Sequence, residues 1–312
     1  MKLLKDDIRV FAPATVANVG CGFDVLGFCL GNVGDEVILR RTEGKEIRVT
    51  KIQGAEYLPF ESDKNVASVA IRAMLDELGV SLGLEVELYK NVKPGSGMGS
   101  SASSSAGAVY ALNEMLDKPF LNLDLVRFAM KGEEAASQKA HADNVAPAIM
   151  GGFTLVRSYN PLDIVSLDFP KDLHAVVVYP QVDVKTSDAS KMLRKEIKLQ
   201  QAITQWANVA GLVSGLSKSD YDLISRSMED VIVEPIRSIL IPYFGEAKEA
   251  ALSKGALSFN ISGSGPSVFS FTDSEETALD VEKAINEVFE QHQVETRSFV
   301  STISPEGARV LE

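Results

Sequence analysis

The alternation of apolar and polar residues predicts short strands interleaved with helices along the whole chain. Residues 84–89 alternate strictly and predict a strand, whereas apolar residues recur at helical spacing from Ala102 to Leu116 and predict a helix with a buried stripe. The first half is thus predicted to hold strands at 8–11, 37–40, 47–50, 84–89 and 151–156, and helices at 66–78, 101–116 and 123–139, with Asn122 capping the last helix.

The second half has the same mixture of elements. The pattern predicts strands at 175–179, 257–261, 268–271 and 294–302, and helices at 187–216, 242–255 and 275–290. A turn-like Tyr159-Asn160-Pro161 precedes a domain boundary near Phe169, which gives an N-terminal domain of residues 1–168 and a C-terminal domain of residues 169–312. We therefore predict two α+β domains with a cleft between them.

A glycine-rich run between the strand at 84–89 and the following helix is the strongest chemical signal. It reads Pro94-Gly95-Ser96-Gly97-Met98-Gly99-Ser100-Ser101-Ala102-Ser103-Ser104. Free backbone N–H groups and the positive end of a helix dipole suit a phosphate. Neither the P-loop nor the dinucleotide pattern fits, because no lysine follows Gly99 and the spacing is G-x-G-x-G. A flexible linker is disfavoured, since an apolar strand and helix flank the run.

The paired serines after Gly99 indicate a particular chemistry. One hydroxyl could cap the helix or donate to a phosphate oxygen, and the other could bind Mg²⁺, which prefers hard oxygen ligands.

Composition and charge narrow the class of protein. The 312 residues are 45% hydrophobic and 24% charged, which is ordinary for a globular protein and long for a single core. The net charge of −12 argues against nucleic acid or an anionic membrane as a partner, but a glycine loop still allows ATP. We find no apolar run long enough to span a membrane and no secretory signal, and Cys21 and Cys29 are interpreted as reduced thiols. These features predict a cytoplasmic protein.

Further polar clusters allow both functional and structural interpretations. Residues 13–27 form a glycine-dense loop in which Asn18 and Asp24 either bind a substrate or satisfy their own turn. Glu133 either completes a Mg²⁺ site or lies on a solvated helix face, and a lone histidine such as His141 is more often structural than catalytic.

Two candidates for anion binding lie in the second half. Arg237 could hold a carboxylate, or pair on the surface with Glu234. The turn that contains Gly263 and Gly265 could bind a phosphate or carboxylate through backbone N–H groups, or be a plain strand-to-strand turn.

Three motifs in order give the chain a family resemblance. They are P-A-T-x-A-N-x-G-x-G-F-D from Pro13, G-x-G-[LM]-G-S-S-A from Gly95, and S-G-[AS]-G-P-[ST] from Ser262. Together they resemble the GHMP small-molecule kinases, and within them the branch that acts on homoserine. Mevalonate and galactose kinases usually carry a lysine or arginine near the start of the first motif, whereas residues 13–15 of this chain contain none.

This resemblance implies a fold, ligands and roles. It implies an N-terminal domain like domain 2 of ribosomal protein S5, a ferredoxin-like C-terminal domain, ATP under the central loop and L-homoserine in the cleft. Ser101 and Glu133 would hold Mg²⁺ and, with Asn144, form the catalytic set. The implied ATP site is Asn65 and every residue from Pro94 to Ser104, and the implied substrate site is Asn18, Asp24, His141, Asn144, Arg237, Gly263 and Gly265. A homodimer is compatible with the resemblance.

The chain departs from the family pattern at the carboxylate site. Relatives carry an arginine where this chain has Ser190, and they carry a proline at the position of Arg194. If the stretch is helical, Arg194 lies one turn further on the same face and could supply the missing charge, with Lys191 a weaker substitute.

The resemblance also bears on the mechanism. Many relatives use an aspartate base where this chain has Asn144, so we expect phosphoryl transfer without a strong protein base. The alternatives are another kinase of the superfamily, acting on mevalonate or a sugar, and a non-catalytic nucleotide sensor of the same fold.

Overall fold

The computed structural model describes residues 4–137, 141–182 and 192–311. Two β-sheets, each with helices packed on it, make up the described part of the chain. The strands are β1 (Asp7–Ala17), β2 (Leu26–Thr42), β3 (Ile47–Gln53), β4 (Gly83–Tyr89), β5 (Phe153–Tyr159), β6 (Leu162–Leu167), β7 (His174–Pro180), β8 (Asn260–Ile261), β9 (Val268–Thr272), β10 (Thr296–Thr302) and β11 (Arg309–Val310). The helices are α1 (Val66–Leu78), α2 (Ser100–Met115), α3 (Asn122–Ser137), α4 (Ala142–Met150), α5 (Leu199–Lys218), α6 (Tyr221–Ser227), α7 (Glu234–Arg237), α8 (Phe244–Ser253) and α9 (Glu275–Gln291).

The first sheet is built around the long strand β2. Its main strand order is β11-β1-β2-β4-β3, with β5 pairing with β2 and β6 pairing with β5. Helix α2 packs against β1 and β2 and also contacts α1, α3 and α4. Its small residues allow this close approach: a Cβ at Gly107 would come within 2.7 Å of the Val37 side chain. Helix α2 is therefore held rigidly at the centre of the first domain.

The second sheet is antiparallel and is joined to the first by a shared aromatic core. Its order is β10-β7-β9-β8, and α9 packs against β7 and α8. The ring of Phe28 on β2 lies 5.0 Å from Phe153, 5.7 Å from Phe269 and 5.1 Å from Phe271, which are centroid distances. After the second sheet is complete, the chain returns to the first sheet, where β11 pairs with β1.

Most sequence-predicted elements are confirmed, and the two-domain α+β class is among them. The predicted limits 1–168 and 169–312 stay a prediction, with residue 169 falling between the two sheets in the chain. Cys21 and Cys29 are both buried free thiols, and within the described ranges we find no helix long and apolar enough to cross a bilayer.

Several boundaries were wrong. The loop expected at 13–27 is shorter, because residues 13–17 belong to β1 and residues 26–27 to β2. The helix expected at 187–216 begins only at Leu199: residues 192–198 are turns and irregular structure, and residues 187–191 lie outside the described part. Asn122 is the first residue of its helix rather than a cap before it. The sequence patterns missed β6, β11, α4, α6 and α7.

Candidate active site

The glycine loop between β4 and α2 has the backbone conformation of an anion cradle. Gly95, Gly97 and Gly99 have φ values of +82°, +90° and +63°, so every second residue lies in a region that favours glycine. Such alternation turns successive N–H groups toward one concavity. A Cβ at Gly95 would meet no atom within 4 Å, so the loop is open to a ligand at this point.

The first turn of α2 adds backbone donors to this loop. Gly99 occupies the N-cap and no side chain caps it, so the expected serine cap was wrong. Two serine side chains in the first turn of α2 point into the protein instead: Ser100 Oγ donates to Val92 O at 2.7 Å, and Ser103 Oγ donates to Pro13 O at 2.8 Å. No side chain of the described residues competes for the N–H groups at this helix start, which is the arrangement that binds phosphate.

A buried ion pair anchors the start of the loop. Lys90 Nζ pairs with Asp35, donates to Ser100 O at 2.6 Å and donates to Ser104 Oγ at 2.7 Å. Asp35 Oδ1 also accepts the backbone N–H groups of Asn91 and Val92, at 2.7 and 2.9 Å. The pair thus ties β2, the loop and α2 together. Sequence analysis missed it, although a lysine directly after an apolar strand was an available signal.

Ser101 and Glu133 form the pair that the sequence assigned to Mg²⁺. Ser101 Oγ donates to Glu133 Oε2 at 2.8 Å, and Glu133 is buried. Burial raises the pKa of Glu133 to about 7, although hydrogen bonds from Ser101 and Ser105 and the charge of Lys90 lower it. One carboxylate, one hydroxyl and ligand phosphates are a set of hard oxygens that Mg²⁺ accepts, so the residues fit the ion.

Asn144 is held against the loop by a residue that sequence analysis did not single out. Thr15 Oγ1 donates to Asn144 Oδ1 at 2.8 Å. A Cβ at Gly99 would overlap Thr15 Oγ1 and lie 2.8 Å from Asn144 Oδ1. The loop, β1 and α4 therefore meet at Asn144, and its catalytic role stays a prediction.

Asp143 is a second buried carboxylate beside Asn144. Its Oδ1 has no hydrogen-bond partner among the described residues. Burial, and to a smaller extent the charge of Asp24, raise the pKa of Asp143 to about 7. Sequence analysis passed over this residue, although it lies between two residues assigned to the substrate, His141 and Asn144.

The turn at 262–267 supports the glycine loop rather than presenting free donors. Ser262 Oγ donates to Gly97 O at 2.7 Å, and Ser267 N donates to Ser96 O at 3.1 Å. Gly263 N donates to Ala17 O at 3.0 Å, and Gly265 N donates to Ser262 O at 2.9 Å. These N–H groups are engaged within the protein, which favours a structural role for the turn. Direct ligand contact by Gly263 and Gly265 stays a prediction.

Asn18 and Asp24 lie in a strained turn, and Asn18 lines a cleft together with Phe23, Arg237 and Gly263. Both Asn18 and Asp24 have left-handed backbones, with φ values of 60° and 59°. Asn18 Oδ1 accepts from Asp24 N at 2.8 Å, and its Nδ2 donates to Gly263 O at 2.8 Å. Asn18 thus bridges this turn to the second domain. The Asp24 carboxylate is half-exposed, 3.6 Å from His141 Nδ1, so these two residues remain accessible to a ligand.

Arg237 faces the same cleft from α7. Its guanidinium lies 5.0 Å from the ring centroid of Phe23 and donates to Gly263 O at 3.2 Å. Burial lowers its pKa, while the charges of Asp24 and Asp230 raise it. The surface ion pair with Glu234 is not formed, because Glu234 pairs with Lys248.

Two other assignments receive less support. Arg194 is exposed in a non-helical segment, so the helical argument for its role was wrong; Ser190 and Lys191 lie outside the described residues. Asn65 caps α1: its Oδ1 accepts from Ala67 N at 3.0 Å and its Nδ2 donates to Pro59 O at 2.9 Å. Contact with a nucleotide base stays a prediction for Asn65.

Comparison with known proteins decides the family. The N-terminal domain of GHMP kinases matches residues 65–152, and the C-terminal domain of GHMP kinases matches residues 212–291. A homoserine kinase from Chlorobium phaeobacteroides is 46% identical, with 97% of this chain and 99% of the relative covered. The chain belongs to the homoserine kinase family of GHMP kinases.

Solved structures agree with this assignment. A crystal structure of homoserine kinase from Cytophaga hutchinsonii has a TM-score of 0.96 and 50% identity, covering 100% of this chain and 99% of the other. An L. major mevalonate kinase in complex with R-mevalonate has a TM-score of 0.73 at 16% identity, over 97% and 98% of the two chains, and shows the shared fold alone. The homoserine kinase family assignment confirms the resemblance seen in the three motifs.

Proposed function

We propose that this homoserine kinase family member transfers the γ-phosphoryl group of ATP to the hydroxyl of L-homoserine. One observation carries the proposal beyond family membership. The glycine loop lies directly against Asn144, and Ser101 on the first turn of α2 donates a hydrogen bond to Glu133 on α3. A phosphate cradle, a hard-oxygen pair and a polar amide thus share one face of the cleft, as phosphoryl transfer requires.

The triphosphate would lie along the loop from Pro94 to Ser104, mainly on backbone N–H groups, since most of the serine side chains are turned inward. Ser101 and Glu133 would hold Mg²⁺ together with phosphate oxygens. The ion, when bound, supplies charge neutralisation at the transferring phosphoryl group. Ionised Glu133 is needed for this role, and its buried carboxyl is then stabilised by the Ser101 and Ser105 hydroxyls.

The charged groups of the cleft suit an amino acid. Asp24, accessible beside His141, would pair with the ammonium, and Arg237 would hold the carboxylate. Arg237, which is stacked on Phe23, and Asp24, on the neighbouring turn, carry opposite charges. By holding the two charged groups of the amino acid, they would orient its hydroxyl arm toward Asn144. Asn18 would position that turn and thereby the hydroxyl.

The transfer needs no strong protein base. The homoserine hydroxyl oxygen bonds to the γ-phosphorus while the bond to the β,γ-bridging oxygen breaks, and ADP leaves with that electron pair. The amide of Asn144 cannot take the hydroxyl proton, which passes to a phosphate oxygen of the transferred group. Positioning and charge stabilisation then carry the rate.

A coupled ADP-release assay with Mg-ATP tests the proposal. L-homoserine, D-homoserine, mevalonate and galactose are compared as acceptors. Turnover with L-homoserine alone supports the assignment. Turnover with mevalonate or galactose overturns the acceptor, and ATP binding without turnover of any acceptor supports the nucleotide-sensor alternative.

We also propose a cytoplasmic protein without nucleic-acid or membrane partners, in line with its net charge of −12. A homodimer is part of the same proposal, and light scattering at several protein concentrations tests it.

A further inference from the structure

Thr15 makes contacts with two parts of the site at once. The register of β1 against β2 shifts just before it, because residues 30–33 of β2 lie opposite Ala14 alone, between the pairs Pro13–Gly34 and Thr15–Cys29. Such an irregularity interrupts the regular ladder of the sheet. Here Thr15 N donates to Met98 O of the glycine loop at 3.2 Å, while its Oγ1 donates to Asn144 Oδ1 at 2.8 Å.

The contacts leave little freedom at this point. Thr15 is fully buried, and Gly99 packs so closely on its hydroxyl that even a methyl group on Gly99 would overlap Oγ1. Because Oδ1 of Asn144 accepts the threonine proton, the amide is fixed with its Nδ2 as the end left for a ligand. An amide nitrogen donates hydrogen bonds and accepts none.

We propose that Thr15 is a positioning residue that sets the orientation of Asn144 relative to the glycine loop. This inference rests on the proposed function. In that reaction Asn144 acts as a hydrogen-bond donor to an oxygen of the reacting pair, and Thr15 acts only through Asn144. The chain has no basic residue at 13–15, and it has Asn144 where many relatives have an aspartate. These two departures are related, because Thr15 and Asn144 form one neutral hydrogen-bonded pair.

Replacing the hydroxyl tests the role. Thr15→Val keeps the size and the backbone contact to Met98 but removes the donor. We expect kcat to fall by about 10- to 100-fold, the range for a misplaced reacting group, with KM for ATP unchanged. Thr15→Ser restores the donor and should recover kcat to within about 3-fold of the original protein.

A matched control and a double-mutant cycle separate positioning from folding. Thr154→Val is the control, because Thr154 is also a buried strand threonine but its Oγ1 has no hydrogen-bond partner among the described residues. In an Asn144→Ala background, Thr15→Val should change kcat by less than about 2-fold, because coupled residues are non-additive. Circular dichroism confirms that each variant is folded.

Each outcome has a defined meaning. Full activity of Thr15→Val, or an undiminished effect in the Asn144→Ala background, overturns the positioning role while leaving the proposed function intact. Absence of homoserine turnover in the unsubstituted protein instead overturns the proposed function itself. Failure of Thr15→Ser to recover activity while it folds normally also contradicts the inference.

Discussion

At the scale of single residues, the buried carboxyl group of Asp143 has one oxygen, Oδ1, without a hydrogen-bond partner among the described residues. Its pKa of about 7 in the folded protein compares with an ordinary value of 3.8. The folded state therefore binds a proton more tightly than the unfolded state does. The free energy of unfolding should fall as the pH rises from about 4 through 7, because ionisation costs more in the folded protein.

Asp143→Asn should remove this cost. We expect the free energy of unfolding at pH 8 to rise by about 1–4 kcal/mol, and the gain to shrink to less than about half at pH 5. Urea denaturation at both pH values measures it. Asp222→Asn is the control, because Asp222 also lies in the first turn of a helix but is exposed. Equal gains from both variants would contradict the explanation.

Glu133 should matter for the chemistry itself. Glu133→Gln keeps the shape but removes the charge that holds the divalent ion, so kcat should fall by at least about 100-fold. Steady-state kinetics over a range of Mg²⁺ concentrations checks this. The neighbouring Glu134→Gln serves as control, since Glu134 is exposed and pairs with Lys131 on the surface of the helix. A Glu133→Gln enzyme with normal kcat would exclude the ion-holding role.

Arg237 should determine affinity for the acceptor. Arg237→Ala removes the cation stacked on Phe23, and we expect KM for homoserine to rise by about 10- to 100-fold with KM for ATP nearly unchanged. Arg226→Ala, at an exposed position of α6, should change neither constant. An equal increase in KM for homoserine and in KM for ATP in Arg237→Ala would show that the residue stabilises the whole site rather than binding the homoserine carboxylate.

At the scale of elements, the glycine loop depends on its closeness to β1. Gly99→Ala introduces a methyl group into Thr15 Oγ1, whereas Gly79→Ala introduces one into open space at almost the same φ, +65° against +63°. Both variants carry the same backbone strain of about 1 kcal/mol. Only Gly99→Ala should also raise KM for ATP and lower kcat, as steady-state kinetics would show. Equal kinetic effects would mean that strain alone, not contact, matters at Gly99.

The elements also show what a sequence can predict. Helix α1 was predicted with its observed limits because its apolar period is a local signal. The Ser101–Glu133 pair followed from motif positions. The Asp35–Lys90 pair and the Thr15–Asn144 contact join residues 55 and 129 positions apart, so they depend on strand pairing and packing that local patterns do not encode. Helix α4 was missed because it is short and contains Pro147.

At the scale of the whole molecule, the Phe28 cluster joins the two sheets into one core. Because Phe28 packs on rings from both sheets, we expect the two domains to unfold in one transition. Far-ultraviolet circular dichroism and the fluorescence of Trp206, the chain's single tryptophan on α5, should give the same midpoint in urea. Separate midpoints would contradict a common core.

Phe28→Ala should lower the free energy of unfolding by about 3–5 kcal/mol. Phe120→Ala is a suitable comparison, because Phe120 pairs with Phe128 and packs on a different hydrophobic cluster from that of Phe28. Phe120→Ala should lower the free energy of unfolding by less than Phe28→Ala does. The midpoints from circular dichroism and from fluorescence should still be the same in this variant. If Phe120→Ala lowers the free energy of unfolding more than Phe28→Ala does, the proposed importance of Phe28 for the shared core is wrong.

The return of the chain to the first sheet has a mechanical consequence. Two separate stretches of backbone, one between β6 and β7 and one between β10 and β11, connect the sheets. A body attached at two points cannot swivel freely about either one. Any opening of the substrate cleft is therefore restricted to rotation about the line through both attachments, so that Arg237 and the Asn18 turn separate and rejoin on a reproducible path.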